Sequence, residues 1–450
     1  MKKMSAQERY QMLTETPVKR LILKLAVPTV ISMLVTGLYN SADTFFVGRI
    51  STNATAAVGL VFSVMAIIQA LGFFCGQGSA IYLSRMLGAG DEKEAGNMAS
   101  TGFALSVIFG FSVAVIGNIF APQIASLLGA DEGMMADTLG YMRIILCGAP
   151  FIMSQFVINN QLRFQGSAMY AMVGLLAGAV LNVALDPILI LGLKMGTVGA
   201  ALATVTGQIV SFLVLLRGYS VGSVVKLRLK DVHLNAHYLK EIINGGTASL
   251  ARQGLASLAT IILNVEAARC GGACAIAGMS ITTRVSMLIV SAVIGFGQGY
   301  QPVCSFNYGA RNYDRVREGY FFCIKLGTIF LIIFSAVGYI FSTTVTGWFR
   351  DDPQVIAVGA GALRYQCLTL PLMAFSVLTN MFLQSTGKGM KASITSSARN
   401  GIFFVPAILI LPRIFSLTGV MIAQPVADVF SAVLAFLLVR PEVLALGKTD

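Results

Sequence analysis

Charge is what this chain has least of. Asp, Glu, Lys and Arg together make up 12% of its 450 residues, where an average soluble domain carries about 25%. A water-exposed surface cannot be assembled from half the usual charge, so an ordinary soluble globular protein is excluded. Histidine is rarer still, at 2 residues. His233 and His237 stand four apart with no cysteine nearby, which leaves a metal site short of ligands. No G-x-x-x-x-G-K-[ST] segment occurs, so the phosphate cradle of an ATP-driven pump is missing. The one serine-hydrolase spelling, Gly218-Tyr219-Ser220-Val221-Gly222, trails an apolar helical run, whereas a nucleophile elbow follows a strand. With no other nucleophile–base or metal constellation, the chain is expected to be no enzyme and to carry no cofactor.

What it has instead is apolar runs. Apolar residues make up 56% of the chain and fall into long blocks, of which 104–120, 324–340 and 401–411 are almost free of charge. About 20 apolar residues in a helix cross the hydrocarbon core, and only helices or closed barrels satisfy their backbone there. The two-residue alternation of a barrel strand is missing. The predicted fold class is therefore all-α and membrane-integral. Twelve spans are read, at 21–47, 54–83, 98–121, 139–162, 170–193 and 197–216, then 243–268, 273–304, 319–346, 357–384, 393–411 and 417–439. The second and eighth are long enough to tilt or to run past the membrane surface. Residues 1–20 are polar and carry no cleavable-signal pattern, so the run from Leu21 is expected to be the first anchor.

Orientation follows from the basic residues. With the amino terminus inside, 23 Lys and Arg fall in inner segments, and 5 (Arg49, Lys194, Arg269, Arg350, Arg413) fall in outer connections. The positive-inside rule then places both termini in the cytoplasm, in a multi-pass protein of the plasma (inner) membrane. The excess of 32 basic over 20 acidic residues suits loops that face anionic lipid. No soluble basic domain is present to bind nucleic acid.

The sequence also repeats itself at a constant offset. Gly76-Gln77-Gly78 recurs as Gly297-Gln298-Gly299, and Gly88-Ala89 as Gly309-Ala310. At that same offset Pro150 matches Pro371, Asn159 matches Asn380, Gly166 matches Gly387 and Met169 matches Met390. With one residue of slippage Gly199, Ala203 and Ser211 match Gly419, Ala423 and Ser431. Each half holds an even number of spans, so both enter the membrane in the same sense. Their pseudo-twofold axis must then run along the membrane normal, the parallel type of transporter repeat. The expected organisation is an amino-terminal six-helix lobe (1–216), a basic cytoplasmic linker (217–242) and a carboxy-terminal six-helix lobe (243–450).

An ionisable group at a helix centre costs about 2.5–3.5 kcal/mol on insertion scales, so one found there is a functional candidate. Four carboxylates qualify: Asp43, Asp186, Glu266 and Asp428. Tyr39, Asn40 and Asp43 share a face of the first span, with Pro28 upstream to bend it. Asn182 and Asp186 lie four apart on one face of the fifth, and Pro187 follows to free a backbone carbonyl. Two carboxylates among amide, phenol and carbonyl groups can hold one exchangeable cation, and burial with mutual repulsion favours a proton on one of them. The alternative for each is a carboxylate merely paired, or snorkelling near a helix end. Glu266, three residues before Arg269, reads as a local pair or a solvated helix end. Asp428 has no acidic neighbour in sequence and serves either a second site or a structural hydrogen bond, with Arg252 or Arg284 as possible partner.

Three segments carry a resemblance: Leu38-Tyr39-Asn40-Ser41-Ala42-Asp43-Thr44, Asn182-Val183-Ala184-Leu185-Asp186-Pro187, and the Gly-Gln-Gly…Asn-Tyr-Gly-Ala-Arg pattern from Gly297 to Arg311. Together they resemble the multidrug and toxic compound extrusion (MATE) family, its DinF-like branch with the MepA-like exporters, over residues 16–439. The resemblance implies an antiporter that exports cationic or amphipathic drugs in exchange for protons or sodium. It implies an ion site at Asp43, Asn182, Asp186 and Thr204. Thr204 also lies beside the small-residue face Gly199, Ala200, Ala203 and Gly207, which allows close helix packing. Asn160-Gln161-Leu162-Arg163 resembles the inner end of the family's fourth helix. The seventh span carries no clear copy of the acidic pattern of the NorM-like branch, so the resemblance does not extend to a second-lobe cation site.

The expected protein is thus a monomeric secondary antiporter, with small-molecule drugs and membrane lipid as partners and a proton or sodium as coupling ion. Asp43, Asn182, Asp186 and Thr204 are the expected ion-coupling residues. Tyr39, Asn40, Pro28, Asn160 and Asp428 are candidates for substrate contact or gating. The competing expectation is a lipid-linked saccharide flippase of a related superfamily, which calls for extra helices and a more basic cleft than the sequence supplies.

Overall fold

A computed structural model describes residues 5–48 and 50–447, without the side chains of 38–45 and 52. The chain opens on a short helix, α1 (Ala6–Glu15), started by a capping box in which Ser5 and Glu8 bond each other's backbone N–H. The first lobe then holds α2 (Val18–Val47), α3 (Thr52–Gly88), α4 (Glu92–Ile119), the short α5 (Ala121–Leu127), α6 (Met135–Phe164), α7 (Ala168–Asp186) and α8 (Gly196–Gly222). The second holds α9 (Ala236–Gly309), α10 (Tyr313–Ile340), the short α11 (Ser342–Phe349), α12 (Pro353–Ser385), α13 (Gly389–Ser397) and α14 (Phe404–Leu446).

Among the described residues nine helices are long and apolar enough to cross a membrane. Two of these are double. α9 is broken at Gly271 and Gly272, and the run from Gly389 to Leu446 is broken at Ser416. Counting the halves separately and adding α2 gives the twelve expected spans, six to a lobe. α3 spans 37 residues, about 55 Å at 1.5 Å per residue, and so overruns a hydrocarbon core of about 30 Å. One expected boundary moves. The ninth span, read as 319–346, stops at Ile340, where Phe341 leaves helical geometry and the separate α11 begins.

The repeat reaches the helix ends. α4 starts at Glu92 and stops at Ile119, and α10 starts and stops at the matching positions of the second copy, Tyr313 and Ile340. The first residues of α5 and α11, Ala121 and Ser342, match in the same way. The lipid-facing residues repeat with them. Ile108, Phe111, Ile116 and Ile119 are exposed on α4, and Ile329, Ile332, Val337 and Ile340 on α10. The inward face of α4 is small and polar instead: Ala95, Ala99, Gly102, Ser106 and Gly110 are buried. Between membrane helices no hydrophobic effect drives association, so small residues that let backbones approach do the packing.

Three glycines mark where the lobes meet. A Cβ on Gly88 would sit 2.0 Å from the Phe306 carbonyl oxygen, and one on Gly309 would sit 1.9 Å from that of Arg85. Phe306 is itself the repeat counterpart of Arg85, so the contact is self-complementary about a twofold axis. Gly78, against the Ile242 backbone, extends it along α3 and α9. The two lobes are thus parallel copies, joined about a pseudo-twofold axis along the membrane normal.

Candidate ion and substrate sites

Asp186 is the last residue of α7 and is fully buried. Pro187 opens a π-helical turn, Pro187–Gly192, since its missing N–H interrupts the ladder at that point. One turn earlier Asn182, 2% exposed, donates from Nδ2 to Thr204 Oγ1 at 3.4 Å. The two helices come this close because glycine faces glycine: a Cβ on Gly178 would meet the Gly207 carbonyl oxygen at 2.5 Å. The structure therefore brings Asn182 and Thr204 together, one turn from Asp186 on the same helix. Tyr39, Asn40 and Asp43 lie on α2, and their side chains fall outside the described residues.

Pro28 stands inside α2. Ser32 Oγ donates to the Pro28 carbonyl at 2.8 Å, and Thr29 Oγ1 donates to the Gly295 carbonyl at 2.6 Å. That second bond crosses from one lobe to the other. The helix is thus least self-supported where it touches the opposite lobe. Asn160 donates to the Phe156 carbonyl at 2.7 Å and accepts from Arg163 Nη2 at 2.5 Å.

Asp428 is differently placed. Its Oδ1 accepts from Arg399 Nε at 2.8 Å and from Gln424 at 3.0 Å; its Oδ2 accepts from Gln366 at 2.7 Å and Thr369 at 3.4 Å. The partner is Arg399, and neither Arg252 nor Arg284 fills that role. Arg399 belongs to a second π turn, Ala398–Ile402, which carries its side chain to α14. The sequence had counted Arg399 among the basic residues of the inner segments, near the start of the span read as 393–411. Glu266 does have its expected neighbour, with Arg269 Nη1 at 4.0 Å from Oε2.

The sequence also missed a polar cluster where the lobes face each other. Gln301 Nε2 donates to Gln384 Oε1 at 3.1 Å and to Gln77 Oε1 at 3.4 Å. Arg163, counted as a loop residue, is 2% exposed and donates to Gln298 of the other lobe. The repeat held the signal: its offset pairs Gln77 with Gln298 and Arg163 with Gln384, and polar residues kept in both copies belong on the axis. Arg163 brings one basic side chain to the lobe boundary. The extra helices a flippase calls for are not seen among the described residues.

Comparison with known proteins agrees with this geometry. The MatE family profile matches twice, at residues 28–188 and 249–409, two stretches in the register of the repeat. The multidrug export protein MepA of Staphylococcus aureus (strain NCTC 8325 / PS 47) is 29% identical over 428 residues, 94% of each chain. The MepA protein of Staphylococcus haemolyticus is 27% identical over the same length. A solved structure described as the outward-facing conformation of a multidrug resistance MATE family transporter superposes with a TM-score of 0.92. It is 30% identical and covers 98% of both chains. Two repeats, six spans apiece, and a family profile that fits each of them make this chain a member of the MATE family, a transporter and not an enzyme.

Proposed function

We propose that the chain exports cationic or amphipathic drugs in exchange for a proton or a sodium ion, by alternating access across the plasma membrane. The observation that carries this reading is the buried carboxylate of Asp186, one helical turn from the Asn182–Thr204 bond. A carboxylate kept inside a membrane lobe beside amide and hydroxyl oxygens can bind and release a small cation. With Asp43 on α2 it forms the coupling site of the first lobe. The multidrug export named for the Staphylococcus relatives supports drugs as the cargo.

Contacts between the lobes support the following cycle. The lobes close on each other through Gly78, Gly88 and Gly309, at the helix ends next to the basic loops, and a cleft shut there opens to the other side. A cation arriving at Asp43 and Asp186 neutralises the site. α2 then changes its bend at Pro28 and strains the Thr29–Gly295 bond between lobes, and the drug leaves. The driving force is about 2.3 kcal/mol per charge per 100 mV of membrane potential. In this reading the protein works as a monomer with both termini in the cytoplasm. Residues 1–216 and 243–450 act as the two moving lobes and 217–242 as their linker. The linker's attachment to α4, through Arg228 N to Ser100 Oγ at 3.1 Å and His233 N to Thr101 Oγ1 at 3.0 Å, lets it follow the first lobe.

Dye efflux from loaded vesicles, with proton and sodium gradients imposed one at a time, tests the coupling. One gradient should drive efflux, and failure of both would overturn it. Cysteines at Asp91 and Asp314, at the starts of α4 and α10, test the orientation. Impermeant thiol reagents should reach both only from the cytoplasmic side, and labelling in intact cells would reverse the topology.

A further inference from the structure

The short helix α1 lies across the boundary between the lobes, at the end where they close. On one side Arg9, 4% exposed, donates from Nη1 to the carbonyl of Gln165 at 3.0 Å and to that of Gly222 at 2.6 Å. These are the C-cap of α6 and the last residue of α8, whose carbonyls have no partner within their own helix. On the other side the second lobe does the same for α1, which has no basic residue in its own last turn. Arg315 of α10 donates from Nη2 to the Leu13 carbonyl at 3.3 Å and to the Thr16 carbonyl at 2.6 Å. Asn307 of α9 donates to the Leu13 carbonyl at 3.0 Å. A cation there also suits the negative end of the helix dipole. The Tyr10 ring meets that of Phe306, with centroids 5.6 Å apart, and Phe306 is the residue whose carbonyl closes on Gly88. α1 is therefore fastened to both lobes at their contact.

The repeat holds a second crossing at the matching position. Its offset pairs Thr16 with His237 and Arg315 with Glu94. That second pair is also in contact, with His237 Nε2 3.5 Å from Glu94 Oε1. Tyr238, the next residue, donates from its hydroxyl to Glu94 Oε2 at 2.8 Å and accepts from Asn97 Nδ2 at 3.1 Å. The segment that leads into α2 is thus held by α10 of the second lobe, and the root of α9 is held by α4 of the first. In one crossing an arginine grips backbone carbonyls; in the other a glutamate grips side chains. The atoms differ and the crossing is the same.

We propose that these two segments are crossed straps, which hold the lobes together at the end of the basic loops and let go of the opposite lobe when the cleft opens there. The inference rests on the alternating-access reading and names the contacts that set how readily this end opens. Within the α1 strap the links are in series. Arg9 ties it to the first lobe and Arg315 to the second, so breaking either link frees the bridge and breaking both adds little. The two straps act in parallel, so losses in different straps add as free energies.

The test uses a Gln77→Cys reporter on the full chain, labelled from the side of the basic loops. Gln77 is 1% exposed at the lobe boundary, so a thiol there is reached when this end opens. Arg9→Gln and Arg315→Gln should each raise the labelling rate about tenfold, the loss of a charge-assisted bond, and together should exceed either alone by less than about twofold. Arg315→Gln with Tyr238→Phe should instead multiply, to about a hundredfold. Tyr10 is 41% exposed, so Tyr10→Ala reports even where Arg9→Gln fails to fold, and should raise labelling about threefold. Wild-type rates in Tyr10→Ala and Arg315→Gln, or full multiplication of Arg9→Gln with Arg315→Gln, overturns the straps. Dye efflux from vesicles of the same preparations separates the two readings. If the wild type exports under an imposed gradient and no variant changes the labelling, the export reading survives and only this inference fails. If the variants label faster and the wild type exports under neither gradient, the straps stand and the export reading falls.

Discussion

The two lobes share the ends of α4 and α10 to the residue yet treat a buried carboxylate in opposite ways. In the first, Asp186 sits where α7 and α8 are drawn together by Gly178 and Gly207, with Asn182 bonded to Thr204. In the second, Phe403 and Ala407 stand at the positions of Asn182 and Asp186, and Arg399 at that of Gly178. The carboxylate there is Asp428, and Arg399, Gln366, Thr369 and Gln424 occupy both its oxygens. Three of those four have counterparts in the first lobe that cannot hydrogen-bond through a side chain: Gly178, Ile145 and Gly148. The second lobe thus carries a carboxylate that brings its own cation, and a built-in cation makes a fixed structural pair.

Removing the charge from each lobe breaks the comparison most directly. Asp186→Asn keeps the side-chain size and should cut gradient-driven dye efflux at least about tenfold while drug binding persists, as for a functional intramembrane carboxylate. Vesicle efflux and equilibrium binding on the same preparation check it. Should Asp428→Asn abolish coupling and Asp186→Asn leave it intact, the working lobe is the second and the assignment is reversed.

Stability should answer the other way round. Asp428→Asn leaves the Arg399 charge uncompensated and should cost about 3 kcal/mol, read as a lower midpoint of thermal unfolding in detergent. Removing both charges together, with Arg399→Met and Asp428→Leu, should recover most of that loss. A single substitution without effect on the midpoint would show the pair to be dispensable.

The glycine contact on the axis gives the next effect. Gly88→Ala and Gly309→Ala each place a methyl group about 2 Å from a carbonyl oxygen of the other lobe and should weaken closure by about 1–3 kcal/mol. Thiol labelling of Gln77→Cys from the side of the basic loops should rise in both variants by similar amounts. A large difference between them would break the symmetry of the contact.

The smallest effect tests the repeat inside each lobe. Asn159 Nδ2 donates to the Ala171 carbonyl at 3.0 Å, and its copy Asn380 donates to the Ala392 carbonyl at 2.6 Å and to Ser396 Oγ at 2.8 Å. Each alanine substitution should cost about 1 kcal/mol, with Asn380→Ala the larger because it loses two bonds. Chemical denaturation of the two variants side by side would resolve the order.

The sequence alone determined that the chain spans the membrane, how many times, and that its halves run in the same sense. Those properties are local sums. Hydropathy over about 20 residues decides a span whatever lies next to it, and a duplicated half keeps its offset through every helix. It also placed Asn182, Asp186 and Thr204 on definite helix faces, and their family pattern named them as one site. Helical periodicity says which way a side chain points and nothing about what it meets. Only the tertiary structure could therefore give Asp428 to Arg399, twenty-nine residues away across a π turn, or set Arg163 against Gln298, 135 residues away in the other lobe. A loop-end arginine and a buried one read alike in a sequence. The packing of neighbouring helices decides whether its charge reaches water, a carboxylate, or an amide of the other lobe.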